Sequence, residues 1–192
     1  MEKLNKILNV SNQELDTIDT SYISSYMNII KNNDLQHDPF YFHDRSGKEH
    51  YRFLIFVSKI YENETLFDVG TNKCMSALAL SFNKMNKVKT YDIIQLYPEN
   101  PTVENVEYIL GDSTKDSDLS KCPLIFLDVD HDGLYENVFY NHLREINWKG
   151  ILLLDDIHLN EPMRYFWNNI TEDKYDMTHV GHWSGTGLVH FK

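Results

Sequence analysis

The sequence predicts an α/β fold, an open and doubly wound sheet of five parallel strands with a C-terminal antiparallel hairpin and a helical N-terminal extension. Three observations carry this expectation. From about Thr65 onward, short apolar runs alternate with amphipathic segments, the pattern of parallel strands covered on both faces by helices. Those runs end in aspartate or lead into glycine and aspartate, polar residues where open α/β sheets place their ligands. The end of the chain breaks the alternation with two successive strand patterns, which makes one sheet edge antiparallel.

The elements follow in order. Residues 1–46 read as a helical extension, with Ser11 placed to cap a helix running to about Lys31 and a loop over residues 33–47. That extension is suited to cover a ligand cleft or to pair subunits in a homo-oligomer. Residues 47–192 read as the main domain, opened by an amphipathic helix over 47–62. Strands are expected at 65–69, 88–93, 106–110, 123–129 and 150–156, and helices at 73–84, 133–146 and 163–170. In the helix over 133–146, Tyr135, Val138, Phe139, His142, Leu143 and Ile146 share one face. Between the second and third strands, two prolines leave room for little helix. The closing hairpin is read as alternating strands joined across Ser184 and Gly185.

Composition narrows the function. The 192 residues suffice for one domain with a sizeable core. A formal charge of -11 repels a phosphate backbone and disfavours nucleic acid as a partner. It suits neutral sugars, small alcohols and cations. Cys74 and Cys122 lack metal-site spacing and cannot form a disulfide framework. The N-terminal residues carry no apolar signal region, and the longest apolar runs fall far short of a membrane span. A cytoplasmic protein is therefore expected.

Three strand ends suggest a nucleoside site. The first gives Asp68, Gly70, Thr71 and Asn72, with Ser76 in the first turn of the next helix. The second ends in Asp92, followed by Ile93, where a carboxylate is suited to accept hydrogen bonds from both ribose hydroxyls. The third ends in Gly111, Asp112 and Ser113, polar groups suited to an adenine edge. A dinucleotide is the rival ligand, but its loop needs further glycines for close approach of a pyrophosphate. Asn72, Lys73 and Met75 stand after Gly70 instead, which favours a ligand without phosphates, S-adenosyl-L-methionine.

The fourth and fifth strand ends carry Asp128, Asp155 and Asp156. Carboxylates gathered at one sheet edge repel one another unless a cation lies among them. Mg²⁺ or a similar hard divalent ion meets that need with oxygen ligands. His131 lies three residues beyond Asp128 and is the candidate general base. The other histidines read as packing or surface residues, with His158 a weaker second base. His179, His182 and His190 alternate along the hairpin and are taken for sheet packing rather than a Zn²⁺ site. Tyr41, Phe42 and Trp183 are read as packing aromatics with substrate stacking as the alternative.

The segment FDVGTNKCMSALALS resembles motif I of class I S-adenosylmethionine-dependent methyltransferases, with Cys74 where a glycine is usual and a tighter or shifted loop expected. LDVDHDGLYE and GILLLDDI resemble the metal-dependent O-methyltransferases of the catechol and macrocin, or sugar-modifying, types, and also cephalosporin-type hydroxylase proteins. The resemblance runs from about residue 47 to the end. It implies a Rossmann-like fold with Asp68, Gly70, Thr71, Asn72, Ser76, Asp92, Ile93, Asp112, Ser113 and Asp128 at the cofactor. Glu49 matches a position near the methionine end. The same resemblance implies Asp128, Asp155 and Asp156 as metal ligands, with His131 and Asp128 as catalytic residues. The expected activity is O-methyl transfer to a sugar or other small molecule. The alternatives are a metal-dependent enzyme of the same fold with other chemistry, and a noncatalytic adenosylmethionine-binding module.

Overall fold

The computed structural model describes residues 1–26, 42–95 and 100–192. The five expected parallel strands form close to their expected bounds: β1 (Thr65–Val69), β2 (Lys87–Asp92), β3 (Val106–Leu110), β4 (Leu124–Leu127) and β5 (Gly150–Asp155). Two more strands, β6 (Asp173–Asp176) and β7 (Thr186–Phe191), complete a seven-stranded sheet of order β3-β2-β1-β4-β5-β7-β6. β7 runs antiparallel to both neighbours. Composition explains that placement. TGLVHF is almost wholly buried between two strands, whereas the polar DKYD of β6 tolerates the exposed edge.

Alternation along the strands feeds two cores. Leu66, Leu124, Phe126 and Leu153 face one side, while Phe67, Ile125, Leu127, Leu152 and Leu154 face the other. The first side is covered by α1 (Glu2–Leu8), α2 (Asn12–Asp16), α3 (Tyr51–Ile60) and α4 (Met75–Leu80). The second is covered by α5 (Leu134–Glu145) and α6 (Glu161–Asn169). In α5 the buried face is Phe139, Tyr140 and Leu143, whereas Val138 and Ile146, expected on it, are exposed. Asn160 caps α6 by accepting from the Met163 amide.

The N-terminal residues share their core with the sheet. Leu4, Ile7, Leu15, Ile18 and Ile23 are buried together with Phe53, Leu54 and Leu78. Ser11 does cap α2, accepting from Glu14 N–H at 3.2 Å, but that helix ends at Asp16 rather than near Lys31. The Arg52 guanidinium explains the stop. It donates to the carbonyls of Leu15, Asp16 and Ile18, and to those of His43 and Asp44. Carbonyls that a longer helix would bind internally are held here by one cation. The remainder of the expected helix and the expected loop fall largely in residues 27–41, which lie outside the described residues, as does Tyr41. The crossover prolines are only partly covered, since residues 96–99 also lie outside them. Among the described residues no helix is long and apolar enough to cross a membrane.

The C-terminal pairing differs from the expected hairpin. The chain leaves the sheet after Asp176, whose carboxylate accepts from the Thr178 amide and hydroxyl and turns the backbone. Residues 177–185 then form a long folded loop before β7. The expected strand over YDMTHVGHW therefore ends at its fourth residue from the start of β6, and the rest of it is carried to the carboxyl ends of β4 and β5.

Candidate active site

The strand order reverses between β1 and β4, and a cavity of about 290 Å³ opens at their carboxyl ends, where open α/β sheets bind ligands. Gly70, Asn72, Asp92, Ile93, Gly111, Ser113, Asp128, His131 and Tyr135 are among its lining residues. Gly70 has φ +105°, and a Cβ there would meet the Asp128 carbonyl oxygen at 1.6 Å. Only glycine fits, and the reason is the close approach of the two chains beyond β1 and β4. The Asp92 carboxylate accepts from the Asn72 and Ile94 amides, each at 3.1 Å. Those bonds fix its orientation and leave acceptor capacity for further donors. Ser113 is buried on the cavity wall with no hydrogen bond to its hydroxyl.

Other expected cofactor residues sit behind this wall. Asp68 is fully buried and accepts from the Thr90 hydroxyl at 2.6 Å. Burial pushes its carboxyl up to about 7. Thr71 bonds Thr90 at 2.7 Å, and Ser76 is buried in α4. Asp112 turns into a local cap, accepting from the Thr114 amide and hydroxyl. Ser113, rather than Asp112, is thus the polar side chain that strand β3 delivers to the cavity wall. Cys74 adopts a left-handed conformation that glycine takes more readily, with φ 66°, at a cost of roughly 1–2 kcal/mol. Its thiol, like that of Cys122, is pushed up to about 12 by burial and is inert as a nucleophile.

The carboxylates gather around imidazoles. Asp128, with 27% of its side chain exposed, lies 3.3 Å from His131 Nε2. Asp156 approaches the same nitrogen at 3.4 Å. His131 has φ 56° and Asp156 φ 59°, and both are held there. The His131 amide donates to buried Glu136 at 2.9 Å, and its carbonyl accepts from Asn160 at 2.7 Å. Backbone strain retained at two side chains that point into one cluster is a mark of a functional site. Burial and the neighbouring Asp155 and Asp156 push the Asp128 carboxyl well above its ordinary range.

No family model matches the chain, and no curated protein matches it. Solved structures do match. The cofactor-bound Rv0187 from MTB gives a TM-score of 0.61 at 15% identity, over 95% of this chain and 98% of that one. The SAH-bound Podospora anserina methyltransferase PaMTH1 gives 0.53 at 13%, covering 92% and 97%. A SAM dependent methyltransferase from Aquifex aeolicus gives 0.53 at 15%, covering 85% and 96%. The chain has the Rossmann-like methyltransferase fold.

On this methyltransferase fold the structure brings in two residues that sequence reasoning missed. His182, expected to pack in a strand, lies 3.2 Å from Asp155, 3.1 Å from Asp156 and 3.7 Å from Glu49. Those acids push its imidazole up to about 10 despite partial burial, and the imidazoles of His50 and His182 together hold Asp155 well below the usual carboxylate range. The loop delivers it through Gly185, at φ +113°, which packs on Ile157 and His158, and through the Trp183 amide donating to Lys48. The glycines flanking HWS, at 181 and 185, were the available signal. The second is His50, which lies 3.3 Å from Asp155. Glu49, expected at the cofactor, faces His182, and burial raises its carboxyl. His158 is drawn off to Asp176 at 2.7 Å. Phe42 stacks on Tyr51 in the core, and Trp183 is 65% exposed.

Imidazoles stand among the expected carboxylate ligands. Among the described residues, the groups whose ligand atoms lie within 4.8 Å of one another are Glu49–His50–His182, His50–Asp128–Asp155 and Asp155–Asp156–His182. Each contains an imidazole, that of His50 or His182.

Proposed function

We propose that this protein is an S-adenosylmethionine-dependent methyltransferase that transfers the methyl group to a hydroxyl of a small, sugar-like molecule. The observation that carries the reading is His131, held in a left-handed conformation at the boundary between the nucleoside cavity and the carboxylate cluster. The expected Mg²⁺ has no step in this mechanism, given the mixed donor set.

The cavity fits the cofactor. Asp92 is oriented to accept from ribose hydroxyls, the unpartnered Ser113 hydroxyl offers a hydrogen bond to the base, and Gly111 leaves open space beside it. Asp128 reaches the cavity with negative neighbours behind it, an environment that favours a sulfonium cation. When bound, adenosylmethionine supplies an electrophilic methyl group. His131 Nε2 accepts the proton of the acceptor hydroxyl as its oxygen becomes the nucleophile. Asp128 and Asp156, 3.3 and 3.4 Å from that nitrogen, stabilise the resulting imidazolium. The exposed ring of Trp183, beside His182, offers a stacking face for the acceptor.

The test is isothermal calorimetry with adenosylhomocysteine, followed by methyl transfer from labelled adenosylmethionine to a panel of sugars and vicinal diols. Micromolar or tighter binding with product on oxygen supports the reading. Absence of adenosylhomocysteine binding refutes it.

A further inference from the structure

His50 presents a discrepancy that methyl transfer does not explain. Its ring is 2% exposed, and neither nitrogen makes a hydrogen bond. A buried imidazole left unsatisfied carries a desolvation cost that native structures avoid unless an ion or ligand meets it. Packing holds the ring in place, with Phe126 at 5.0 Å and Tyr51 at 4.6 Å between centroids. Its Nδ1 lies 3.3 Å from Asp155 Oδ1, off hydrogen-bonding geometry. Donors each about 2.0–2.2 Å from a shared ion stand at such a separation. His50, Asp128 and Asp155 also bring one ligand atom apiece to within 4.8 Å of one another.

We propose that His50, Asp128 and Asp155 form a binding site for a borderline divalent transition cation, such as Mn²⁺, Co²⁺ or Zn²⁺, in preference to Mg²⁺. Imidazole nitrogen is a good donor to those ions and a poor one to Mg²⁺, which keeps oxygen ligands and water. The site lies where β4 and β5 end and α3 begins. It therefore draws on a residue just outside the resembling strand-end motifs, and it ties the first helix of the domain to the two central strands. The cation meets an imidazole that approaches Asp155 without a hydrogen bond, and it offsets the repulsion among Asp128, Asp155 and Asp156.

The experiment uses the full chain freed of metal and loaded with Co²⁺, Mn²⁺ or Mg²⁺ alone. Affinities are measured by equilibrium dialysis, and nitrogen ligation by the ¹⁴N modulation of the bound Mn²⁺ spin echo. His50→Gln removes no capping hydrogen bond, since the side chain makes none to α3. Co²⁺ affinity is expected to fall about tenfold or more in this variant, while that for Mg²⁺ stays within about twofold. Equal losses for both ions, unchanged Co²⁺ affinity, or no divalent binding by the wild type overturns the proposal. Should the variant not fold, absence of ¹⁴N modulation in the wild type overturns it alone. Adenosylhomocysteine binding, measured on the same samples, fails or succeeds independently and keeps this inference separate from methyl transfer.

Discussion

The two halves of the cleft are built differently. On the β1–β2–β3 side, each functional group comes from the turn that immediately follows its strand: Asn72 after β1, Asp92 at the end of β2, Ser113 after β3. On the β4–β5 side, Asp128, Asp155 and Asp156 come from strand ends and His131 from the turn after β4, but two of their partners come from farther along the chain. His50 arrives from the start of α3 and His182 from the loop before β7. Local placement makes the first half tolerant of distant change. The second half depends on several segments holding station together, so the same kind of substitution is felt differently in each.

The largest expected effect breaks the second half at its centre. His131→Ala is expected to lower turnover by about 10²–10⁴-fold, with adenosylhomocysteine affinity within about threefold of wild type. A fall in affinity matching the fall in turnover would move His131 from proton transfer to cofactor binding. Next, Arg52→Met removes the cation that gathers five carbonyls of the N-terminal segment. A loss of about 3 kcal/mol is expected, read in urea unfolding. If stability is unchanged, that segment is not anchored as the hydrogen bonds imply.

The comparison is sharpened on the first half by Asp92→Asn, which keeps the shape but loses one charged acceptor. Adenosylhomocysteine is expected to bind about 10-fold more weakly, equivalent to roughly 1.5 kcal/mol for a hydrogen bond to a charged group. Co²⁺ affinity should not follow it. Coupled losses would mean the two halves are one unit.

A separate effect is a pH dependence. Asp68 is raised from its ordinary 3.8 to about 7 in the folded chain. Above pH 4 the unfolded chain releases this proton while the folded chain retains it. Stability therefore falls as pH rises from about 4 to about 7 and levels beyond. Asp68→Asn should flatten that slope in unfolding midpoints taken across the range. Parallel curves for the two proteins would show that burial of Asp68 is relieved by another route.

Much of the fold was readable from the chain itself because its signals are local. Five short runs became five parallel strands within a residue or two, with β1, β4 and β5 buried almost throughout and β3 half exposed at the sheet edge. The carboxylates at the ends of β4 and β5 were equally plain. The helix after Ser11 was overextended because Arg52, thirty-six residues beyond Asp16, takes the carbonyls that would have continued it. His182 was misplaced because alternation in YDMTHVGHW mimics a strand, while the Asp176–Thr178 turn ends it.

What the sequence alone determined is the order of strands and helices and the charge carried to each strand end, both consequences of periodicity and burial. The partners of those charges were decided only in three dimensions. A cluster assembled from α3, two strand ends and the loop before β7 has no spacing to read, because its distances are set by packing across the sheet. Tertiary structure set His50, His131 and His182 among the three aspartates, a neighbourhood that no spacing along the chain announces.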